Sequence, residues 1–401
     1  MSPGFAKLEG GLHSKVAKAD VGSFYANLAK HGVDLLGWAD PYYTGSPIPA
    51  HVARAVIEAI ESGKAAHYTM PIGDLELRTE VAKMLRARKG FPVDPERNII
   101  ITPGSDSGLF YAIAPFIQSG DEALIPDPSY PNNFVVPELL GGVPVHVPLR
   151  EETGYQLDIS EFQKRLTPKT KMVILTHPNN PTATVFRREG LVELARFIVE
   201  NDLVLVVDQA FEDHIFDGIE LVDPAMLSGM WERTLSVFSL SKGMGLSGFR
   251  VGYIVADEDV MDVLYGGAVS VVGATSTASQ AGAIAALRDL SFVDSYREVN
   301  DNRRKLVYEM LHDIPGVSMR MPECGFISWV NVSRLGDSTE IADLLIRDAK
   351  VAVNDGKAYG KGGAGHLRIV HGAIADEDRA RASLGRVRSV LLNLAASKGL
   401  V

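Results

Sequence analysis

The chain has 401 residues, 46% apolar and 22% charged, with a formal net charge of −10. That length accommodates two domains, or a large one with a smaller lobe, and the acidic balance argues against a nucleic-acid partner. A single cysteine, Cys324, excludes an internal disulfide. No apolar run approaches the roughly 18 residues of a membrane span, and the opening "MSPGFAKLEGGLHSK" has no apolar signal core, so a cytoplasmic protein without membrane contact is expected.

In chain order, "SKVAKADVGSFYANLAKHG" predicts a helix, followed by the short run "VDLLGW" and the turn-rich "ADPYYTGSPIP". "PAHVARAVIEAIESG" has helical periodicity and stops on Gly63; "DLELRTEVAKMLRARKG" is a second helix with a glycine stop. From residue 98 the texture changes. "NIIITPGSDSGLFYAIAPFI" predicts strand, Gly/Ser turn and helix; "EALIPDPSYPNN" and "KMVILTHPNNPTAT" each predict a strand running into a loop. "EGLVELARFIVENDLVLVVDQAF" predicts helix, strand and loop, and "LSVFSLSKGMGLSGFRVGYIVA" two strands around a glycine-rich loop. Continuous apolar strands alternating with helices indicate an α/β fold with a mostly parallel, buried sheet flanked by helices. After about residue 290 a long charged helix leads into "GFISWVNV", "VAVNDG", "HLRIVHG" and a closing helix, the pattern of a smaller α+β domain. The expected division is a large domain over 47–290, with a small domain made of 1–46 and 291–401.

In an open α/β sheet the ligand lies beyond the carboxyl ends of the strands. The polar residues predicted there are Gly104, Ser105, Asp106 and Ser107; Asp127, Ser129 and Tyr130; His177, Asn179 and Asn180; Asp208; and Ser239, Ser241 and Lys242. Together they describe a site for a flat, anionic, nitrogen-bearing ring with a phosphate handle.

"HPNNPT", "VVDQAF" and "SLSKGMGLSGFRVGY" occur in the order of the Asn-Pro, aspartate and Schiff-base lysine motifs of one family. The chain resembles the class I/II pyridoxal-phosphate-dependent aminotransferases of fold type I, from "GWADP" to "HLRIV". The resemblance implies a homodimer with shared active sites, using pyridoxal 5′-phosphate to move an amino group between an α-amino acid and a 2-oxo acid by a ping-pong mechanism. It makes Lys242 the Schiff-base residue and proton carrier, Asp208 the partner of the ring nitrogen, Asn180 a donor to the ring oxygen and Tyr130 the stacking aromatic. Gly104, Ser105, Asp106, Ser239, Ser241 and Arg250 would form the phosphate cup, joined by Tyr68 of the other subunit. Arg368 would bind the substrate carboxylate, with Gly37 and Trp38 closing over it. Asp40, Tyr42 and Tyr43 in the same closing segment favour an aromatic or cationic substrate side chain. No Lys or Arg between Arg250 and Arg288 offers itself to a second carboxylate, so aspartate is not expected to be the best donor.

Other readings stand beside these. Asp208 and the Asp106 side chain suit helix caps, Arg368 a surface ion pair and Tyr130 ordinary core. The same scaffold runs lyase, decarboxylase and oxidase chemistry. Outside the cofactor class, "SLSK" fits the S-x-x-K of serine acyl-enzymes, but their S-D-N and K-T-G partners do not occur, and "GMGLSG" follows where a helix is needed. "GKGGAG", residues 360–365, precedes a strand and so fails as a dinucleotide motif; it is expected to be a mobile surface loop. No metal-ligand spacing occurs. Three positions depart from the family: Phe211 where a tyrosine is usual, Ala183 where a glycine is common, and "VNDGKAYG" in the carboxylate lobe.

Overall fold

The computed structural model describes residues 23–41 and 48–401. The predicted N-terminal helix is seen over Ser23–Lys30; its first part, and Tyr42 and Tyr43, lie outside the described residues.

Seven strands build the main sheet: β1 (Ile99–Thr102), β2 (Glu122–Asp127), β3 (Val143–Pro148), β4 (Thr170–Thr176), β5 (Val204–Asp208), β6 (Thr234–Ser239) and β7 (Gly252–Val255), in the order β1-β7-β6-β5-β4-β2-β3. β7 runs antiparallel to β1 and β6, while every other pair is parallel. The central strands read as unbroken apolar runs because helices cover both faces: Ile99, Ile100 and Ile101 of β1, and Val173, Ile174 and Leu175 of β4, are fully buried. β3 was not legible in the sequence. It carries Pro144 and Pro148, whose missing N–H groups are best tolerated at an edge, and it is the sheet's edge, with Val143 46% exposed.

The topology brings the chemistry to one side. β1, β2, β4, β5 and β6 all point their carboxyl ends the same way. In the β6–β7 hairpin Ser239 faces Gly252, which also faces Thr102 of β1. Lys242 and Arg250, inside that connection, therefore reach the edge where the Gly104–Ser105 turn opens.

A second sheet is antiparallel, in the order β10-β11-β9-β8, from β8 (Ser318–Met319), β9 (Ile327–Asn331), β10 (Asn354–Asp355) and β11 (His366–Val370). The helices Ser291–Leu311 and Glu377–Ser397 share its core through Val307, Leu311, Leu384 and Val387, packed with Val330, Leu367 and Ile369. Asp34 and Leu35 pair in parallel with Val351 and Ala352, and the buried Asp34 carboxylate accepts from Arg379, Ser383 and Arg386. The N-terminal segment is thereby tied to the C-terminal part of the chain.

Residues 360–365 are not the free surface loop expected from "GKGGAG". The N–H groups of Lys361 and Gly362 donate to the Asp127 carboxylate at 3.0 and 2.9 Å, and a Cβ on Gly360 would lie 2.2 Å from Asp127 Oδ1. These glycines let the backbone close onto the end of β2.

Candidate active site

The strand ends converge on a cavity of about 390 Å³. Trp38, Asp40, Ser105, Asp106, Tyr130, Asn180, Asp208, Ser239, Ser241, Lys242, Arg250 and Arg368 line it, together with Ala39, Ala210, Phe211, Ser247 and Gly248.

Lys242 is half-buried, and its Nζ donates to the Ala39 carbonyl at 2.5 Å. The following residue leaves no room for a side chain: a Cβ on Gly243 would lie 2.2 Å from Asp213 Cβ and Oδ2. Asp208 ends β5 and is 4% exposed. Burial pushes its carboxyl up to about 7; the Asp106 charge adds to the rise, while the Ala210 N–H and Lys242 oppose it. Among the described residues it has no ion-pair partner within salt-bridge distance.

Gly104 (φ 83°) precedes the helix Ser105–Ile113, whose first N–H groups receive no side-chain cap. The Arg250 guanidinium lies over this turn, so close that a Cβ on Gly104 would meet Nη2 at 2.4 Å. Ser239 Oγ accepts from the Ser241 N–H at 3.1 Å, closing β6 instead of opening a helix, which removes the geometry an S-x-x-K nucleophile needs. The Asp106 side chain does not cap its helix: Oδ1 accepts from Tyr130 Oη and Asn132 Nδ2, both at 2.9 Å. It pins the Tyr130 ring at the cavity wall.

Arg368, on β11, is fully buried and no surface pair. Nε and Nη2 donate to Asn354 Oδ1 at 3.0 and 2.7 Å, Nη1 to Asn180 Oδ1 at 3.1 Å and Nη2 to the Gly37 carbonyl at 3.4 Å; the guanidinium lies 4.7 Å from the Tyr359 ring centre. Asn354 and Tyr359 come from "VNDGKAYG", the stretch that departs from the family pattern. Asn354 is brought opposite Arg368 by the β10–β11 pairing, and Tyr359 follows in the turn Gly356–Tyr359.

Several strand-end residues turn away from the cavity. Asp127 holds the glycine loop and His146, and Ser129 accepts from Asn133. His177 faces the Val222 carbonyl at 3.1 Å, its pKa lowered to about 4 by burial, and Asn179 bonds Thr182. Tyr68 does not line the cavity of its own chain; it is 96% exposed.

The family model for aminotransferase class I and II matches residues 34–386. The chain belongs to this family. It is 34% identical over 342 residues to the aromatic-amino-acid aminotransferase 2 of Thermococcus litoralis, covering 84% of this chain and 87% of that one. It is also 34% identical over 325 residues to an aspartate aminotransferase of Pyrococcus abyssi, covering 80% and 83%. The aromatic aminotransferase structure from Pyrococcus horikoshii superposes with a TM-score of 0.86 at 30% identity, over 94% of this chain and all of that one. The protein is an aminotransferase of fold type I, and the family's cofactor is pyridoxal 5′-phosphate.

The residues present fit that group. A buried carboxyl without a paired cation suits a protonated ring nitrogen, an uncapped helix start under an arginine suits a phosphate, and a lysine amine lies in the same cavity. The Asn-Pro departure also has a physical reading: Ala183 holds φ 54°, the left-handed region where glycine is at ease, so the alanine carries strain of about 1 kcal/mol. Phe211 packs into an apolar cluster, its ring 5.3 Å from that of Phe326.

Proposed function

We propose that this aminotransferase exchanges the amino group of an α-amino acid with a 2-oxo acid in two half-reactions at Lys242, as a cytoplasmic homodimer. The observation that carries the reading is the meeting of Lys242, Asp208 and the fully buried Arg368 in one cavity. When bound, pyridoxal phosphate supplies an aldehyde for the lysine amine and a ring that accepts the electrons of a broken Cα–H bond.

The chain's residues divide the rest of the work. Lys242 Nζ takes the proton from the substrate's Cα and returns it. The Asp208 carboxylate keeps a proton on the ring nitrogen, which its buried, cation-poor surroundings favour. Because Asn180 Oδ1 faces Arg368, its Nδ2 is turned to donate to the ring oxygen. The Ser105 and Asp106 N–H groups, the Ser239 and Ser241 hydroxyls and Arg250 hold the phosphate. Tyr130, anchored on Asp106, stacks on the ring. Arg368 binds the α-carboxylate bidentately, with Gly37 and Trp38 over it.

Dimerisation is supported by exposed apolar side chains close together in the chain: Ile57, Ile60, Tyr68 and Met70 are 51%, 60%, 96% and 65% exposed. Tyr68 then completes the partner's phosphate cup. Residues 47–290 form the cofactor domain, and 1–46 with 291–401 the lobe that carries Arg368. A single buried cysteine suits a reducing compartment, which cell fractionation checks. The decisive experiment is a panel of amino donors with 2-oxo acids, read by product mass. Lys242→Ala should bind cofactor and transfer nothing; wild-type turnover in that variant would overturn the assignment.

A further inference from the structure

The side chain of the donor must meet whatever charge the cavity retains after the groups of the amino-transfer reading are assigned. Among the described lining residues the cations are Lys242, Arg250 and Arg368. The choice of donor rests on that reading, in which all three are committed to the cofactor or to the α-carboxylate. Among the described lining residues of this chain, none is left over for a second carboxylate.

The lining carboxylates are Asp208, Asp106 and Asp40. Asp208 is assigned to the ring nitrogen, and Asp106 is held by Tyr130 and Asn132. Asp40 stands apart. It belongs to a short strap, residues 37–40, fastened at three points: the Gly37 carbonyl to Arg368 Nη2, the Ala39 carbonyl to Lys242 Nζ, and Asp40 Oδ1 to the Ser247 hydroxyl. The strap thus runs from the arginine of the α-carboxylate, past the reacting lysine, to Asp40. Asp40 Oδ1 is oriented by Ser247; among the described residues no donor within hydrogen-bond distance meets Oδ2.

We propose that Asp40 recognises the donor's side chain, and that the preferred donors carry a cationic one, a guanidinium or an ammonium. A carboxylate fixed by one oxygen offers the other to a charge-assisted hydrogen bond, the strongest kind of polar contact available at such a wall. An uncharged side chain leaves that oxygen unpaired, and an anionic one meets a like charge with no uncommitted cation among the described lining residues. Ser247 makes the carboxylate a seat of defined orientation, so the site discriminates by charge and by reach.

The test separates this inference from the amino-transfer reading. The first arm is calorimetric binding to the cofactor-loaded enzyme. It compares 5-guanidinopentanoate, which has the carboxylate and guanidinium of arginine but no α-amine, with hexanoate. The guanidino acid should bind about tenfold more tightly. In Asp40→Asn, whose amide oxygen still accepts from Ser247 and so preserves the strap, that ratio should collapse. The second arm is transfer to pyruvate from arginine, lysine, ornithine, norleucine and aspartate. The arginine-to-norleucine ratio of kcat/KM should fall about tenfold or more in Asp40→Asn. An unchanged ratio in either arm, or norleucine or aspartate ahead of all three cationic donors in the wild type, overturns the proposal. If no donor reacts, the amino-transfer reading fails, and the binding ratio still decides the case for Asp40.

Discussion

Replacing Asp208 by asparagine is expected to stabilise the cofactor-free protein above mildly acidic pH while loosening its hold on the cofactor. The carboxyl is raised from 3.8 to about 7, chiefly by burial. A group with a higher pKa in the folded state binds more protons folded than unfolded over the interval between the two values. Its contribution to stability is complete below about 3.8, declines through the interval, and is lost once pH passes about 7. At 1.36 kcal/mol per unit, a shift of roughly three units amounts to about 4 kcal/mol, of which roughly 2 kcal/mol falls between pH 5 and pH 7. Asparagine does not titrate. In urea unfolding of the cofactor-free proteins, the stability of Asp208→Asn relative to wild type should therefore grow by that amount from pH 5 to pH 7 and stay level above it. Cofactor affinity should move the other way, since the amide cannot hold a charge against the ring nitrogen. A stability difference independent of pH would refute the burial argument.

Phe211→Tyr should lower the pH midpoint of the cofactor's visible absorbance in the loaded enzyme. The added hydroxyl supplies the ring oxygen with the donor that the Phe211–Phe326 contact lacks, and a raised or unchanged midpoint would count against this. Gly243→Ala drives a methyl group into Asp213 and should destabilise by about 1–3 kcal/mol in urea unfolding, with a drop in kcat from the displaced Lys242. Gly266→Ala, inside a helix with nothing within 4 Å of the new Cβ, should instead gain up to about 1 kcal/mol. Mixing Tyr68→Ala and Lys242→Ala proteins should restore about a quarter of the wild-type sites if Tyr68 serves the partner subunit, and none if it serves its own.

The sequence by itself determined the parts of this protein that depend on neighbours along the chain. Apolar runs without alternation announced a buried parallel sheet, because only strands covered on both faces can be apolar throughout. The Gly-Ser turn after β1, the Asn-Pro turn after β4, Asp208 at the end of β5 and Lys242 in the β6–β7 hairpin were all visible as polar punctuation after such runs. Tertiary structure decided which of these face the cavity. Asp127 and His177 follow strands just as Asp208 does, yet one binds a glycine loop 234 residues away in the chain and the other a carbonyl at Val222. Asp106 looked like a helix cap and became the anchor of Tyr130, since the loop after β2 meets the helix after β1 only in the folded sheet. Ala39 with Lys242, Asp40 with Ser247 and Asn180 with Arg368 join segments 203, 207 and 188 residues apart. Such contacts leave no periodicity to read: they are set by strand pairing and by how the second sheet packs against the first, which no window of the chain contains.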